Sequence, residues 1–206
     1  MRLLVGTQNT GKIKEYQRLL ADAPVEVVGL GDIGLGSLDV EETGTTFTEN
    51  AILKARAYAD ASGLATLADD SGLCVDALDG RPGLYSARYG GAGMKSPQQR
   101  KKLLGELQDI PDEKRGAEFV CVIAVALPDV EKTTHTREGI CRGRIAQAES
   151  NGTGGFGYDP IFIPDGQAVT FADIPEDDKN RLSHRGKAAE AIIPVLKALG
   201  SSNPDM

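Results

Sequence analysis

Apolar and polar residues alternate along this chain with two periods, one typical of helices and one typical of strands. The helical period, together with capping residues such as Thr46 and Glu49 in a capping box, predicts four helices. These helices span 12–20, 46–62, 96–107 and 183–199. Short apolar runs rich in β-branched residues predict the strands between and after them. These strands span 3–5, 25–28, 64–68, 73–75, 118–127, 133–140 and 142–146.

Helices and strands alternate in the first half of the chain, whereas strands predominate in the second half. This order predicts an α/β fold in which helices flank a mixed β-sheet. The 206 residues permit one large domain or two lobes around a cleft. Ser96 followed by Pro97 is predicted to cap the third helix, Pro194 to kink the last one, and the tail SSNPDM to fray.

The composition is that of an ordinary soluble globular protein, with 40% hydrophobic and 26% charged residues. No apolar run approaches the roughly 20 residues that a transmembrane helix needs, and the start MRLLVGTQNTGK is too weakly apolar for a secretory signal. Cys74, Cys121 and Cys141 form no C-x-x-C pair, so we expect a cytoplasmic protein with reduced thiols. A formal net charge of -7 argues against duplex nucleic acid as a partner, since phosphate contacts need a basic face.

The segment Gly152-Thr-Gly-Gly-Phe-Gly157 matches the G-x-G-x-x-G pattern of dinucleotide-binding proteins. That pattern works only where a helix follows the glycines, because the helix amides bind the pyrophosphate. The continuation YDPIFI contains proline, aromatic and β-branched residues, which disfavour a helix, so we reject a dinucleotide site. An ordinary glycine-rich turn is one alternative. The other is that the glycines leave Phe156 and Tyr158 accessible to a flat ring, since stacking on aromatic side chains is a recurrent way to bind a nucleobase.

The segment Gly6-Thr-Gln-Asn-Thr-Gly11-Lys12 matches G-x-x-x-x-G-K, the pattern of a phosphate-binding loop. Ile13, however, stands where such loops carry the Ser or Thr that binds magnesium. A predicted strand precedes the segment and a predicted helix follows it, so that free helix amides and the Lys12 ammonium make an anion site. The sequence thus predicts a phosphate site whose magnesium ligands lie elsewhere. An ordinary strand-turn-helix with a surface lysine is the alternative.

Two acidic pairs are the candidates for those ligands: Glu41-Glu42 in an irregular stretch, and Asp69-Asp70 at the end of a predicted strand. Magnesium is bound in proteins by a few carboxylates together with substrate phosphates and water. Taken singly, each pair is more often a solvated turn, and Glu49 has a sufficient role in its capping box.

Hydrogen-bond donors cluster at 183–185, whereas His135 in KTTHT is expected to face solvent.

Several segments, taken together and in order, resemble the inosine triphosphate pyrophosphatase family, also called Ham1-like. They are TQNTGK at 7–12, EETGTTFTENAILKA at 41–55, ADDSGLCVDAL at 68–78, GRPGLYSARY at 80–89, GTGGFGYDPIF at 152–162, and Lys179 followed by SHRG at 183–186. They cover nearly the whole chain, and their combination is specific although no single segment is. Ser150-Asn151 departs from the pattern, which commonly has a proline-containing turn there, and this affects loop shape rather than any catalytic group.

The resemblance implies cleavage of a nucleoside triphosphate between the α and β phosphates, which gives a monophosphate and pyrophosphate. The implied substrates are the deaminated purine nucleotides ITP, dITP and XTP, whose removal prevents their incorporation into nucleic acids. The resemblance also implies an elongated α/β fold with a mixed sheet, two lobes around a central substrate cleft within a single domain over 1–200, and a flexible tail at 201–206. It further implies a homodimer and Mg²⁺ as the cofactor.

The resemblance also implies a role for individual residues. Asp70, Lys12 and Lys54 would be catalytic, with Asp70 as proton acceptor and the two lysines neutralising phosphate charge. Glu41 and Asp70 would bind the metal. The implied substrate contacts are Thr7, Gln8, Asn9, Thr10, Gly11, Lys12 and Ser71, and, around the base, Phe156, Gly157, Tyr158, Asp159, Lys179, His184 and Arg185. Attack of water on phosphorus needs positioning, charge neutralisation and a proton acceptor, and these residue types supply all three.

Two other interpretations stay open. A Maf-type pyrophosphatase for pyrimidine or modified nucleotides is the alternative enzyme, and the SHR segment at 183–185 disfavours it. A non-catalytic nucleotide-binding protein is the alternative from another class. Such a protein is expected to lack a catalytic carboxylate, whereas Glu41 and Asp70 are both present here.

Overall fold

The structure is a computed structural model that describes residues 1–91 and 93–201. Strands β1 to β6 span Arg2–Val5, Glu26–Gly29, Ala65–Val75, Gly116–Ala126, Thr134–Ile145 and Phe162–Pro164. Helices α1 to α5 span Thr10–Leu19, Phe47–Ser62, Ser96–Glu106, Glu176–Leu182 and His184–Ser201. None of these helices combines the length and the apolar character that crossing a membrane requires.

Within the described residues, the six strands form one sheet in the order β2-β1-β3-β4-β5-β6. β1 pairs in parallel with β2 and with β3, so that Leu3 lies opposite Val27 on one side and Ala65 on the other. β6 pairs antiparallel with β5, with Phe162 opposite Ile145. Parallel neighbours need a crossover, and α1 and α2 lie in the connections that follow β1 and β2. The predicted α/β class with a mixed sheet is confirmed.

Two pairs of predicted strands are each a single long strand. The predicted strands at 64–68 and 73–75 join into β3, and those at 133–140 and 142–146 join into β5. The polar residues Asp69-Asp70-Ser71 in the middle of β3 suggest an interruption when only the sequence is considered. In the fold β3 is an inner strand between β1 and β4, so the chain continues extended through these residues.

Helix α4 is not among the predicted elements, because the polar run EDDKNR presents no apolar stripe. Its first turn is acidic and its last turn basic, an arrangement that the helix dipole favours. Ser183 is the C-cap of α4 and directly precedes α5, and Lys95 rather than Ser96 is the N-cap of α3. Helix α5 contains Pro194 and ends at Ser201; the rest of the predicted tail, 202–206, lies outside the described residues.

The chain divides into two compact units. The first consists of residues 1–70, 121–139 and 185 onward, and the second of residues 71–120 and 140–184. In the first unit, alternate residues of β4 pack against different helices because successive side chains of a strand point to opposite faces. Cys121, Ile123 and Val125 pack with residues of α1 and α5 that include Tyr16, Ala188 and Ile192. Val122, Ala124 and Ala126 pack with Ala51, Ala55 and Ala59 of α2.

The second unit has a core built around aromatic rings. Phe119 and Phe162 are in edge contact with ring centroids 4.7 Å apart, and Phe162 stacks on Phe171 at 5.3 Å. The His184 ring stacks on Phe119 at 4.6 Å, nearly parallel to it. Tyr158 belongs to the same buried core, which therefore supports one end of the glycine-rich segment.

Candidate functional site

Lysines and carboxylates form a buried group in the first unit, which we call the lysine–carboxylate cluster. Strand β3 supplies Asp69 and Asp70 at consecutive positions, so their side chains point to opposite faces of the sheet. Asp69 faces α1, where its Oδ2 lies 2.8 Å from Lys12 Nζ. Asp70 faces α2, where its Oδ1 lies 3.0 Å from Lys54 Nζ. The cluster consists of Lys12, Glu15, Glu42, Lys54, Asp69, Asp70 and Arg185.

Both carboxylate oxygens of Asp70 are held by α2. Lys54 bonds to Oδ1, and Asn50 Nδ2, one helical turn earlier, donates to Oδ2 at 3.2 Å. The side-chain oxygen of Asn50 in turn accepts from Gly44 N at 2.8 Å and so fixes the stretch that precedes α2. Asn50 is not among the predicted site residues. Its i, i+4 spacing from Lys54 is the sequence signal that places both on one face of the helix.

The pKa values of Asp70 and Lys54 are both raised, for different reasons. Burial raises the pKa of Asp70, and the nearby Glu42 carboxylate raises it further against the opposing effect of Lys54. For Lys54, burial acts to lower the pKa, but Asp70, Asp69 and Glu42 outweigh it and raise the pKa above its ordinary value. Lys54 is therefore cationic at neutral pH, and Asp70 is a stronger base than a solvated carboxylate.

The acidic pair before α2 contributes its second member to this cluster. Glu42 Oε1 lies 2.6 Å from Lys54 Nζ, whereas Glu41 is exposed. Glu41 is the residue that the resemblance implies as a metal ligand, and the structure brings Glu42 to Asp70 and Lys54 instead. The stretch is irregular, so no periodicity in the sequence indicates which of the two neighbours points inward.

The predicted phosphate loop has the expected strand-turn-helix form, but two of its amides are already bonded. Asn9 is the N-cap of α1, and its Oδ1 accepts from Gly11 N at 2.9 Å and from Lys12 N at 3.2 Å. The prediction of free amides at this helix start is therefore wrong for those two groups, because an asparagine cap satisfies them. Thr7 Oγ1 accepts from Asn9 N, Gln8 donates to Leu38 O, and Thr10 is the exposed first residue of α1.

Arg185, which the resemblance implies for the base, contacts two carboxylates of this cluster. Its guanidinium NH1 is 2.5 Å from Glu15 Oε2, and its Nε is 3.6 Å from Asp69 Oδ2. Asp69 thus lies between Lys12 and Arg185, and it is buried. Burial acts to raise the pKa of Asp69, but the charges of Lys12, Arg185 and Lys54 hold it well below its usual range.

Asp69→Asn is expected to lower the free energy of unfolding at pH 7 by about 3 kcal/mol, because two buried cations lose a shared carboxylate. The folded-state pKa of Asp69 lies below the unfolded value of about 3.9, so its contribution is complete above roughly pH 5 and is lost as the pH falls further. Urea unfolding of wild type and variant should therefore show a difference that shrinks between pH 7 and pH 3. Asp22→Asn, at an exposed position, is the control; an equal effect in both variants at pH 7 contradicts the prediction.

The second unit carries the glycine-rich segment as a loop, residues 149–159, which we call the Phe156 loop. A short 3₁₀ turn at Asp159–Ile161 and strand β6 follow it. The absence of a helix at this place confirms that the glycine pattern is not a dinucleotide fingerprint. The buried Asp159 organises the loop, since its Oδ2 accepts from Phe156 N at 2.7 Å and from Lys179 Nζ at 2.9 Å.

Two aromatic residues of the loop have different environments. Phe156 is 38% exposed, and Lys179 Nζ lies 5.3 Å from the centre of its ring. Tyr158 is buried in the aromatic core, and its hydroxyl donates to Ser86 O at 2.9 Å. The prediction that both rings offer a face to a base is therefore wrong for Tyr158, which supports the loop. Gly155 has a φ of +69°, and a Cβ there would come within 2.0 Å of Asp159 Oδ2.

The remaining predicted residues divide between the two units. Lys179, on α4, and His184, at the start of α5, are buried members of the second unit, with Lys179 against Asp159 and His184 against Phe119. Gly157, with a φ of +61°, belongs to the Phe156 loop. Ser71 follows Asp70 in β3 and is half-buried.

A thiol nucleophile is not indicated in either unit. Cys74, Cys121 and Cys141 carry free thiols. Burial raises the pKa of Cys74, and burial together with Asp69 raises the pKa of Cys121 to about 12. Because the thiolate is the reactive form, the raised pKa makes these two residues poor nucleophiles near neutral pH.

Comparison with known proteins gives a consistent set of similarities. The family model described as the Ham1 family matches residues 3–195. The dITP/XTP pyrophosphatase of Streptomyces coelicolor is 49% identical over 200 residues, covering 96% of this chain and 98% of that protein. The one from Oceanobacillus iheyensis is 46% identical over 198 residues, covering 96% and 99%. The structure of a HAM1 protein from Coxiella burnetii matches with a TM-score of 0.85 and 38% identity over 96% of this chain and 99% of that one.

Proposed function

The chain belongs to the Ham1 family, and we propose that it cleaves the deaminated purine nucleotides dITP, ITP and XTP to the monophosphate and pyrophosphate. The protein is thus a hydrolase that acts on a phosphoric anhydride. The observation that carries the assignment is Asp70, held at one oxygen by Lys54 and at the other by Asn50 in a mostly buried cluster. The full-length similarity to proteins named dITP/XTP pyrophosphatase supports the choice of substrate.

In the reaction, Asp70 accepts the proton of the attacking water. Its raised pKa suits this role, since a general base is most effective when its pKa approaches the working pH. Asn50 and Lys54 fix the orientation of the carboxylate, so that little reorganisation is needed when the water attacks. Lys12 and Lys54 offset the negative charge that develops on the departing pyrophosphate.

The charge balance of the cluster supports a requirement for a divalent metal. Three cationic side chains, Lys12, Lys54 and Arg185, lie among four carboxylates, those of Glu15, Glu42, Asp69 and Asp70. Such a set cannot neutralise a triphosphate by itself. Across the described residues no three His, Cys, Asp or Glu side chains form a metal-binding group. Two carboxylates nevertheless fit Mg²⁺, which usually takes one or two of them together with phosphates and water.

We assign Glu42 and Asp70 as the carboxylates that would hold this metal, which when bound would polarise the phosphate oxygens. Both approach Lys54, so they can converge on one cation. Glu41, implied by the resemblance, is exposed and is a weaker candidate. Mg²⁺ as the physiological ion and a homodimer are further proposals that rest on the resemblance, and a cytoplasmic location is one that rests on the cysteine pattern. We also propose that nucleic acid is not a partner, because a protein with a net charge of -7 repels the phosphate backbone.

The Phe156 loop supplies groups suited to the base. The exposed ring of Phe156 offers a stacking surface, and the buried Lys179 ammonium offers donors beside it. Hypoxanthine and xanthine carry an oxygen at position 6, which accepts hydrogen bonds, whereas adenine carries an amino group there. We therefore assign base stacking to Phe156 and recognition of the 6-oxygen to Lys179. Ser71 and His184 stay candidate substrate contacts.

Pyrophosphate release from ITP in the presence of MgCl₂ tests the proposed activity. The products should be inosine monophosphate and pyrophosphate in equal amounts, and EDTA should abolish their formation. Tight binding of ITP without turnover would identify a binding protein instead. Faster turnover of pyrimidine or modified nucleotides than of ITP, dITP and XTP would identify a Maf-type enzyme.

A further inference from the structure

An arginine outside the Phe156 loop ties the two ends of that loop together. Arg100 lies on α3 and is buried. Its NH2 is 2.5 Å from Glu149 Oε1, at the start of the loop. Its NH1 donates to Gly157 O at 2.7 Å, next to Phe156. One guanidinium therefore bridges two residues that are eight positions apart in the chain.

The Arg100 bridge constrains the loop in addition to the hydrogen bonds that form within the loop. Phe156 N donates to Asp159 Oδ2, and Asp159 N donates to Phe156 O, so these two residues form a tight turn. Gly154 N donates to Ala172 O on the other side of Phe156. Gly157, between Phe156 and the buried Tyr158, has a left-handed φ of +61°. The bond from Arg100 fixes the orientation of the peptide that follows Gly157.

A comparison with the buried Arg115 indicates that Arg100 is not placed for stability alone. Arg115 uses all three guanidinium nitrogens, which donate to Ile145 O, Leu107 O and Ala146 O at 2.6 to 2.9 Å. Arg100 Nε, in contrast, is buried and has no hydrogen-bond partner within residues 1–91 and 93–201. A buried, incompletely bonded cation contributes less to stability than an apolar side chain of similar volume.

We propose that Arg100, together with Glu149, is a positioning residue for purine recognition, which holds the Phe156 loop in the conformation that presents Phe156 to the base. The inference rests on the proposed function, because it takes the Phe156 loop as the base-binding element. Arg100 itself contacts neither phosphate nor base in this assignment. Its loss should therefore weaken base binding while leaving the chemical step and the polyphosphate contacts unchanged.

The first test measures the solvent exposure of the loop directly and requires no substrate. The chain contains no tryptophan, so Phe156→Trp introduces a single tryptophan into the loop, and excitation at its red edge avoids the tyrosines. In that background Arg100→Met, which keeps the apolar stem, should shift the emission to longer wavelength and raise the acrylamide quenching constant about twofold. Lys101→Met, on the same helix and exposed, is the matched control and should change neither. Identical emission and quenching in the two variants would overturn the proposal.

The second test separates binding from chemistry in the full-length protein with the natural Phe156. Arg100→Met should raise KM for ITP and the Kd for inosine monophosphate by the same factor, about tenfold, with kcat within about twofold of wild type. Inhibition by inorganic tripolyphosphate, which has no base, should be unchanged. Glu149 is the more exposed partner of Arg100, and Glu149→Gln should raise KM for ITP by about threefold. This variant replaces Arg100→Met in the test if Arg100→Met folds poorly. Arg100→Lys should restore part of the affinity, because it retains one donor and the charge.

A loss of kcat with unchanged KM in these variants would show a general structural role and overturn the proposal. Phe156→Ala distinguishes this failure from a failure of the proposed function. If Phe156→Ala raises KM for ITP and Arg100→Met does not, the base assignment stands and only the role of Arg100 fails. If Phe156→Ala leaves KM unchanged, the loop does not bind the base, and both fail together.

Discussion

Asp70→Asn is expected to lower kcat for ITP by about 10²- to 10⁴-fold, the range typical of a lost general base. The amide keeps the shape of the side chain, and its single oxygen can still accept from Lys54, whereas its NH₂ group cannot accept from Asn50 Nδ2. It cannot accept a proton from water near neutral pH, and it loses the charge that a metal requires. Steady-state kinetics with saturating MgCl₂, together with thermal unfolding to verify the fold, measures the effect.

The control for this substitution is Asp60→Asn, an exposed aspartate on the same helix as Asn50 and Lys54. It removes the same charge from the same unit and should leave kcat within about twofold of wild type. Turnover of Asp70→Asn at a near wild-type rate would show that Asp70 is neither the base nor an essential metal ligand. An intermediate loss that excess MgCl₂ reverses would assign Asp70 to metal binding alone.

Elements that bury a continuous or periodic apolar surface could be predicted from the sequence. β4 packs against helices on both faces, so the run FVCVIAVA is apolar without interruption. α2 begins where Thr46 accepts from Glu49 N, as the capping box predicts. β3 and α4 differ because their polar residues form ion pairs with other elements: Asp69 and Asp70 pair with lysines, and Lys179 pairs with Asp159. Residue type alone does not reveal such partners.

In the candidate site, too, some features could be predicted from the sequence and others could not. The lysines and carboxylates could be predicted as site residues because phosphate and magnesium are bound by these residue types, often near glycine-rich turns. Their pairing depends on which face of a strand or helix each residue occupies in the folded chain. This is why the sequence alone indicates neither that Glu42 rather than Glu41 pairs with Lys54, nor that Arg185, adjacent to His184 in sequence, pairs with Glu15. Asn50 and Arg100 bond to residues 20 and 57 positions away, respectively, and the only local signal is the helix face that Asn50 shares with Lys54.

Lys179→Met is expected to reduce the preference for ITP over ATP by about 10²-fold or more. The Lys179 ammonium has only donors, so the 6-oxygen of hypoxanthine is satisfied beside it, whereas the amino group of adenine places donor against donor. A binding site built to hydrogen-bond one substrate group discriminates by roughly 10⁴-fold against an analogue that leaves it unpaired. Methionine has a similar length and no donor, so kcat/KM should fall for ITP and change little for ATP. Both values are measured with the same enzyme preparation.

Two controls separate selectivity from folding in this experiment. Lys179→Met leaves the buried Asp159 without its cation, so the double variant Lys179→Met, Asp159→Asn should recover stability without recovering the ITP/ATP ratio. Phe156→Ala should lower kcat/KM for both nucleotides by similar factors, because every purine stacks through its ring face. If Lys179→Met folds normally and keeps the wild-type ITP/ATP ratio while Phe156→Ala loses it, recognition of the 6-oxygen does not depend on Lys179. Selectivity would then arise from the fit of the base against the Phe156 ring.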